Sequence, residues 1–153
     1  MRTRRQMRME RDALVDWMGD QPFTHALTLN TERELSSARM RQIFSSFCHQ
    51  FDKSILGSRN VRSLPTSMRL HAIAFPENLL TNAHVHVFAD LGPAISAIGN
   101  EREVLERGRC CWLESTKGAG SFHNEPDPDR GWGYYITKRY NGDFYLAADF
   151  WPH

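Results

Sequence analysis

Residues 83–91, with the sequence AHVHVFADL, alternate strictly and decide how the surrounding chain folds. Alternation with a period of two is typical of a β-strand that buries one face in a core. It predicts that His84 and His86 project from one exposed face, while Val85 and Val87 point into the core. Two imidazoles so placed are spaced to bind one metal ion, although the same pair also fits two histidines on a solvent-facing strand.

A second alternating segment, residues 68–75 (MRLHAIAF), precedes this strand and is predicted to end at Pro76. The two strands are expected to form a hairpin, with Glu77 at its mouth, seven residues before His84. A carboxylate there would complete a site of two histidines and one carboxylate with open positions, which suits Mg²⁺ or Mn²⁺. The alternative is a solvated glutamate in a turn.

The remaining segments predict an α+β fold in the order β-α-β-β-α-β-α, an antiparallel β-sheet with helices packed on it. They are a short helix within residues 12–19, a strand at 23–31, a helix at 32–56 capped by Thr31 and Glu34, a helix at 92–107 ended by Gly108, a strand at 110–114, a loop at 117–133, a helix at 134–140, and an edge strand or packed tail at 144–151.

The composition is that of a globular domain. The chain has 153 residues, of which 41% are hydrophobic and 24% charged, and a formal net charge of +1. No apolar run is long enough for a membrane helix, so no membrane partner is expected. Three cysteines, two of them adjacent (Cys48, Cys110 and Cys111), make a poor disulfide framework and indicate a reducing, cytoplasmic location.

Residues 1–20 are predicted to form a basic N-terminal arm or helix, and residues 21–153 the main domain. The first eleven residues contain five arginines and one glutamate, without the apolar centre of a secretory signal. These arginines either bind phosphate groups or lie on a solvated helix. The candidate residues for binding DNA are Arg2, Arg4, Arg5, Arg8 and Arg139.

A tyrosine and a lysine form a third pattern, Tyr135-Ile136-Thr137-Lys138. If this segment is helical, Tyr135 and Lys138 share one face. A phenol is a weak nucleophile at neutral pH, and a nearby ammonium group and metal would favour its phenolate. The alternative is an aromatic core contact beside a surface lysine, and Tyr134 competes for the same role.

Three motifs in this order resemble those of the HUH superfamily of single-strand DNA endonucleases, in particular the single-tyrosine initiators of rolling-circle replication (Rep). Residues 25–30 (HALTLN) are similar to the first motif, residues 84–87 (HVHV) to the histidine–hydrophobe–histidine motif, and residues 135–138 (YITK) to the Y-x-x-K motif. The first motif departs from the usual pattern at His25 and Asn30, so neither is given a catalytic task.

The resemblance implies a fold and an activity. The fold is a ferredoxin/RRM-like palm, and residues 21–153 would be a nuclease domain of HUH type. The activity is metal-dependent nicking and joining of single-stranded DNA through a 5′-phosphotyrosine, as in the replication of plasmids and phages. Tyr135 would be the nucleophile with Lys138 beside it, and His84, His86 and Glu77 would hold Mg²⁺ or Mn²⁺. The implied partners are single-stranded DNA or an origin hairpin, and a host helicase.

Other functions remain open at this point. The domain could bind DNA without cutting it, or be a transposase or relaxase relative. Cupins also carry H-x-H with a carboxylate downstream, near the place of Asp90, but the upstream glycine is absent here. Amidohydrolase barrels need a longer chain. A structural zinc site on Cys110, Cys111 and His123 has unfavourable ligand spacing.

Overall fold

Five strands form one antiparallel sheet in the computed structural model, which describes residues 2–57, 61, 63, 65–126 and 130–151. They are β1 (His25–Asn30), β2 (His71–Glu77), β3 (His84–Asp90), β4 (Ser121–Pro126) and β5 (Tyr145–Leu146). The order across the sheet is β4-β1-β3-β2-β5, so β1 and β3 occupy its centre. The predicted α+β fold with an antiparallel sheet is confirmed.

Five helices complete the described fold. They are α1 (Arg4–Gly19), α2 (Ser37–Leu56), α3 (Gly92–Ile98), α4 (Glu101–Ser115) and α5 (Arg130–Ile136), with 3₁₀ turns at Thr66–Met68 and Ala147–Phe150. Two β-α-β units interleave, because β3 lies between β1 and β2 while β1 lies between β3 and β4. This is the ferredoxin-like arrangement of two split β-α-β units. None of the described helices is both long enough and apolar enough to cross a bilayer.

The main core lies between one face of the sheet and helices α2 and α4. On α2 the apolar side chains recur at helical spacing and become fully buried, as Phe44 and Phe47 show. They meet Leu29 and Val85 from the central strands, and Trp112 from α4 closes the cluster. Each such side chain contributes about 1.5–3 kcal/mol by leaving water. One face of the sheet is therefore buried in the main core.

The start of α2 differs from the prediction. Thr31 is not its N-cap, because Thr31 is fully buried and still belongs to the sheet region, where its hydroxyl donates to the carbonyl of Ala83 at 2.7 Å. The cap is Ser36, whose hydroxyl accepts from the backbone N–H of Arg39 at 3.1 Å. The capping-box partner assigned to Glu34 is consequently wrong as well.

The predicted strand at residues 110–114 is wrong, because these residues belong to α4. Val104, Gly108, Cys111 and Trp112 are its buried positions, at spacings of four, three and one, which is a helical stripe. Gly108 does not end a helix; a Cβ at this position would lie 3.2 Å from the Phe122 ring, so glycine allows β4 to pack closely on α4. The helix break comes earlier, at Gly99, which has φ of +83°.

The fourth strand lies inside the segment predicted to be a loop. Residues 121–126 pair with β1 along its whole length, from Ser121 opposite Asn30 to Pro126 opposite His25. Pro76 also fails to end β2, because the neighbouring β5 pairs only with Ile73 and Ala74 and leaves the outer edge of β2 unpaired at Pro76. The strand therefore continues to Glu77.

We expect Gly120→Ala to destabilise the protein by about 1–3 kcal/mol. A Cβ at residue 120 would lie 2.7 Å from the Trp112 indole nitrogen and 2.8 Å from the Thr116 hydroxyl, and closer still to the carbonyl of Asn30. That carbonyl accepts from the same indole at 2.9 Å, so the clash opens a buried hydrogen bond. Urea denaturation measures the loss. Gly19→Ala, with no atom within 4 Å of its Cβ, is the matched control, and equal stability of both variants would contradict the expectation.

Candidate metal centre

The second face of the sheet is partly covered by α1 and α5. Val15 and Met18 of α1 and Ile136 of α5 pack there against aromatic side chains of β2 and β3, including Phe75 and Phe88. By alternation along the strands, Thr28, His84 and His86 lie on the same face as this apolar cluster.

His84, His86 and Glu77 come together on this face. The register places Glu77 directly opposite His84, and His86 is the next residue of β3 on the same side. Nε2 of His86 lies 3.1 Å from a Glu77 carboxylate oxygen, and Nε2 of His84 lies 3.9 Å from the same atom. The potential ligand atoms of the three residues all lie within 4.8 Å of one another. Within the described residues this is the one group of three acidic, histidine or cysteine side chains so arranged.

The other ring nitrogen of each histidine already has a polar neighbour. Nδ1 of His84 lies 3.0 Å from the carbonyl of Asn82, which can only accept, so that nitrogen donates its hydrogen. Nδ1 of His86 lies 3.2 Å from the hydroxyl of Thr28 on β1. Metal-bound histidines almost always make such a contact, because it fixes the ring and leaves the Nε2 lone pair for the ion. The three residues therefore fit a divalent metal ion.

Burial adjusts the charge of His86. Removal from solvent is the largest cause, and it lowers the pKa of His86 below the ordinary 6.5. The nearby Glu77 carboxylate acts in the opposite direction and raises the pKa, whereas His84 lowers it further. This shift favours the neutral imidazole, which is the form that binds a metal. The two histidines share one face as predicted, but that face is not exposed at His86, which retains 7% of its accessible surface.

Tyr135 lies over this group. Its ring centroid is 5.9 Å from that of His86, at an angle of 69°, and Trp132 packs edge-on against it at 5.1 Å. Tyr135 is still 55% exposed, so its ring is accessible from solvent. The supporting helix differs from the prediction: α5 begins at Arg130 and ends at Ile136, which puts Tyr135 in its last turn rather than at its start.

The predicted neighbours of Tyr135 take separate places. Lys138 lies beyond the end of α5 in a turn, where its backbone N–H donates to the carbonyl of Tyr135 at 3.2 Å, and its side chain is exposed. No contact between the Lys138 ammonium group and Tyr135 is present among the described residues. Tyr134 points to the other side of α5, beneath the guanidinium of Arg11 at 5.6 Å from the ring centre.

No model of a known protein family matches this chain, and neither does any curated protein or solved structure. The residues of the site must therefore support any functional assignment by themselves.

The candidate DNA-binding arginines divide into two groups. Arg4, Arg5 and Arg8 are exposed along α1 and make no hydrogen bond or ion pair through their side chains with other described residues. Arg2 instead binds the carbonyl of Gly142 at 2.9 Å. Arg139 lies at the metal group, 3.6 Å from Glu77, and donates to Asn78 at 2.8 Å.

Some residues of the site were not found from sequence. Thr28, whose hydroxyl contacts His86, lies in the first motif. The sequence signal for it was a polar residue between Leu27 and Leu29, which alternation places on the face away from the core. His25 in the same motif lies on the opposite face, 4% exposed, with Nε2 2.7 Å from Glu101 of α4. It is part of the α4 packing and not of the metal group.

Arg11 is the other residue missed, and it holds α5 in place. Its guanidinium donates to the Thr137 hydroxyl at 3.1 Å and to the carbonyl of Tyr134 at 2.8 Å. Two further contacts tie the N-terminal residues to the segment after α5: the Tyr140 hydroxyl donates to Glu10 of α1 at 2.6 Å, and Arg2, which precedes α1, binds the carbonyl of Gly142. Because the partners are more than 120 residues apart in sequence, no local sequence pattern predicts these contacts.

We expect Arg11→Ala to loosen α5 and to lower the free energy of unfolding by about 1–2 kcal/mol, the value of hydrogen bonds to a partly exposed charge. The backbone amides of residues 130–136 should then exchange with solvent faster, as measured by hydrogen–deuterium exchange. The control is Arg8→Ala, which removes an exposed arginine of the same helix whose side chain makes no hydrogen bond or ion pair with other described residues. If both variants exchange like the wild type, Arg11 does not anchor α5.

Proposed function

We propose that this protein is a metal-dependent endonuclease and strand transferase of the HUH type, which nicks and rejoins single-stranded DNA through Tyr135. The observation that carries the proposal is that the Tyr135 ring packs against the ring of His86. His86 in turn belongs to the group formed by Glu77, His84 and His86. Residues from two of the three motifs thus meet at one point, and Thr28 of the remaining motif contacts the same histidine.

The metal proposed is Mg²⁺ or Mn²⁺. Two imidazoles and one carboxylate from the chain leave coordination positions for water and for a phosphate oxygen. When bound, such an ion supplies Lewis-acid polarisation and a template for the scissile phosphate. Thr28 and the carbonyl of Asn82 orient the two histidines, and Arg139 contacts the other oxygen of Glu77 and so restricts its rotation.

Tyr135 performs the chemical step in this proposal. Its phenol loses its proton, and the oxygen attacks the phosphorus of the scissile phosphodiester. The bond between phosphorus and the 3′ oxygen breaks, and that oxygen takes up a proton to become a free 3′ hydroxyl. The 5′ phosphate of the downstream fragment remains on Tyr135, so attack by a 3′ hydroxyl restores the strand. The exposure of Tyr135 gives the substrate access to it.

DNA binding is proposed to use the exposed arginines of α1. Arg4, Arg5 and Arg8 would contact phosphates, and each contact releases counterions, so affinity falls as salt rises. Trp132 packs against Tyr135 and offers an aromatic surface on which an unpaired base can stack. Lys138, exposed at the end of α5, is available to the negative charge of the bound strand.

The test is covalent capture of labelled single-stranded oligonucleotides with Mn²⁺, followed by denaturing electrophoresis. A label at the 3′ end should travel with the protein, whereas a label at the 5′ end should appear on a shortened free fragment. EDTA should prevent both. Binding without adduct for every oligonucleotide offered, including randomised pools, would refute the nuclease and favour a DNA-binding module of the same fold.

A further inference from the structure

Asn30 ends β1 on the face of the sheet that carries the candidate metal ligands. Thr28 lies two residues earlier on the same strand and contacts His86, so alternation places the Asn30 side chain on that face as well. The register of β1 and β3 puts Asn30 directly opposite His84. Glu77 lies opposite the same histidine from β2, so Asn30 and Glu77 flank His84 on its two sides.

The spacing between Asn30 and His84 is short. The backbone N–H of Thr31 donates to the carbonyl of Ala83 at 3.0 Å, which makes these two residues a hydrogen-bonded pair of the antiparallel ladder. Asn30 and His84 therefore form the adjacent non-hydrogen-bonded pair, in which the Cα atoms are only about 4.5 Å apart and the side chains are correspondingly close. The Asn30 carboxamide is thus a direct neighbour of a candidate metal ligand.

Two contacts fix the orientation of this carboxamide. Its Oδ1 accepts from the backbone N–H of Glu32 at 2.7 Å. Because a backbone N–H can only donate, the atom that faces it is the oxygen, and the amide nitrogen points elsewhere. On the main chain, the Asn30 carbonyl accepts from the indole of the buried Trp112 at 2.9 Å. The protein therefore holds both the backbone and the side-chain oxygen of Asn30.

The residue that orients the carboxamide has a strained backbone. Glu32 has a φ of +57°, in the left-handed region that favours glycine. A residue with a side chain keeps such a conformation only where its surroundings impose it, and residues of this kind are concentrated at functional sites. The strain at Glu32 is therefore consistent with a functional role for the side chain that its N–H holds.

The amide nitrogen of Asn30 is an uncommitted donor. It makes no hydrogen bond with other described residues, and the side chain is partly exposed, so a substrate can reach it. In phosphoryl transfer, negative charge is spread over the oxygens of the phosphate that neither attack nor leave. A neutral donor that is fixed in advance stabilises such charge without having to reorganise during the reaction.

We propose that Asn30 is a further catalytic residue, which donates from Nδ2 to a non-bridging oxygen of the scissile phosphate while Tyr135 attacks. The inference rests on the proposed nicking function. It adds to that function a residue that neither holds the metal nor supplies the nucleophile. From the sequence, this asparagine was only a departure from the usual pattern of the first motif.

The first test is the single-turnover rate of adduct formation at saturating Mn²⁺ and oligonucleotide. Asn30→Ser should lower the rate about 10²- to 10³-fold, the loss of one oxyanion donor. A serine hydroxyl can still accept from the N–H two residues on, so the turn is retained. Mn²⁺ affinity should stay within a few-fold of wild type, because Asn30 is not a metal ligand.

Asn30→Asp is the second variant, because it keeps the acceptor for the Glu32 N–H and the shape of the side chain but cannot donate. Its rate should fall at least as far. Asn141→Asp is the matched control: the exposed Asn141 also accepts with Oδ1 from the N–H two residues on, that of Asp143 at 3.1 Å. This variant should react at close to the wild-type rate.

A phosphorothioate at the cleaved position distinguishes contact with the substrate from an effect on folding. Sulfur accepts hydrogen bonds poorly, so wild type should react more slowly with the diastereomer that places sulfur towards Asn30. The same diastereomer should cause no additional loss in either Asn30 variant, because the contact is already absent there. Equal losses in wild type and both variants, or wild-type rates in the variants, would overturn the role of Asn30 and leave the nuclease standing. Absence of adduct in wild type would overturn both proposals.

Discussion

Tyr135→Phe is expected to abolish the covalent adduct, lowering the cleavage rate on the order of 10⁴-fold or more, as removal of a nucleophile does. The substitution deletes one hydroxyl and keeps the ring that packs on His86 and Trp132. Folding, metal affinity and DNA affinity should therefore stay close to the wild-type values. The measurement is covalent capture together with a binding assay on the same oligonucleotide.

Tyr134→Phe is the matched control, because it removes the same atom from the adjacent residue. Tyr134 faces Arg11 on the other side of α5, and its hydroxyl is not involved in the stacking of the guanidinium on the ring. Its loss should leave cleavage within a few-fold of wild type. Adduct that survives Tyr135→Phe and disappears in Tyr134→Phe would transfer the nucleophilic role to Tyr134.

His84→Ala and His86→Ala are each expected to weaken Mn²⁺ binding by more than about 100-fold. Removal of residues that only orient metal ligands already costs 10- to 100-fold, and here a ligand itself is lost. Glu77→Gln should also weaken binding, because an amide oxygen carries no charge. Isothermal titration calorimetry measures the affinities, with His123→Ala, an exposed histidine of β4, as the control.

The same titrations have an expected dependence on pH. Because burial lowers the pKa of His86 below 6.5, protons compete with the ion for this ligand at a more acidic pH than they would for an ordinary histidine. Affinity should fall as the pH drops through that lowered pKa. Equal Mn²⁺ affinity in wild type and in the double histidine variant would show that the ion binds elsewhere.

The strands that alternate clearly were predictable from the sequence. β3 was found with almost correct limits, because a buried face and a polar face leave a period of two in the residues themselves. The pairing of His84 with His86 followed from the same period, and the fold class followed from the order of the segments. Glu77 was placed correctly next to them even though the strand was expected to end at Pro76.

β4 could not be found in this way. Residues 121–126 (SFHNEP) contain one large apolar residue, Phe122, and become a strand because β1 offers its free edge along its whole length. Residues 110–114 were wrongly predicted to be a strand, because five residues are too few to distinguish helix from strand without their neighbours in α4. The contacts that position α5 could not be predicted from local sequence either, because Arg11 is distant in sequence from its partners.

The ties between α1 and α5 also set an order of events during synthesis. A helix of seven residues is too short to persist in water by itself, so α5 becomes ordered only when its partners on α1 are in reach. A nascent chain up to residue 126 already contains β1 to β4, and with them both histidines and Glu77. Such a chain carries all three candidate metal ligands before it carries Tyr135, because the ribosome adds Tyr135 after them.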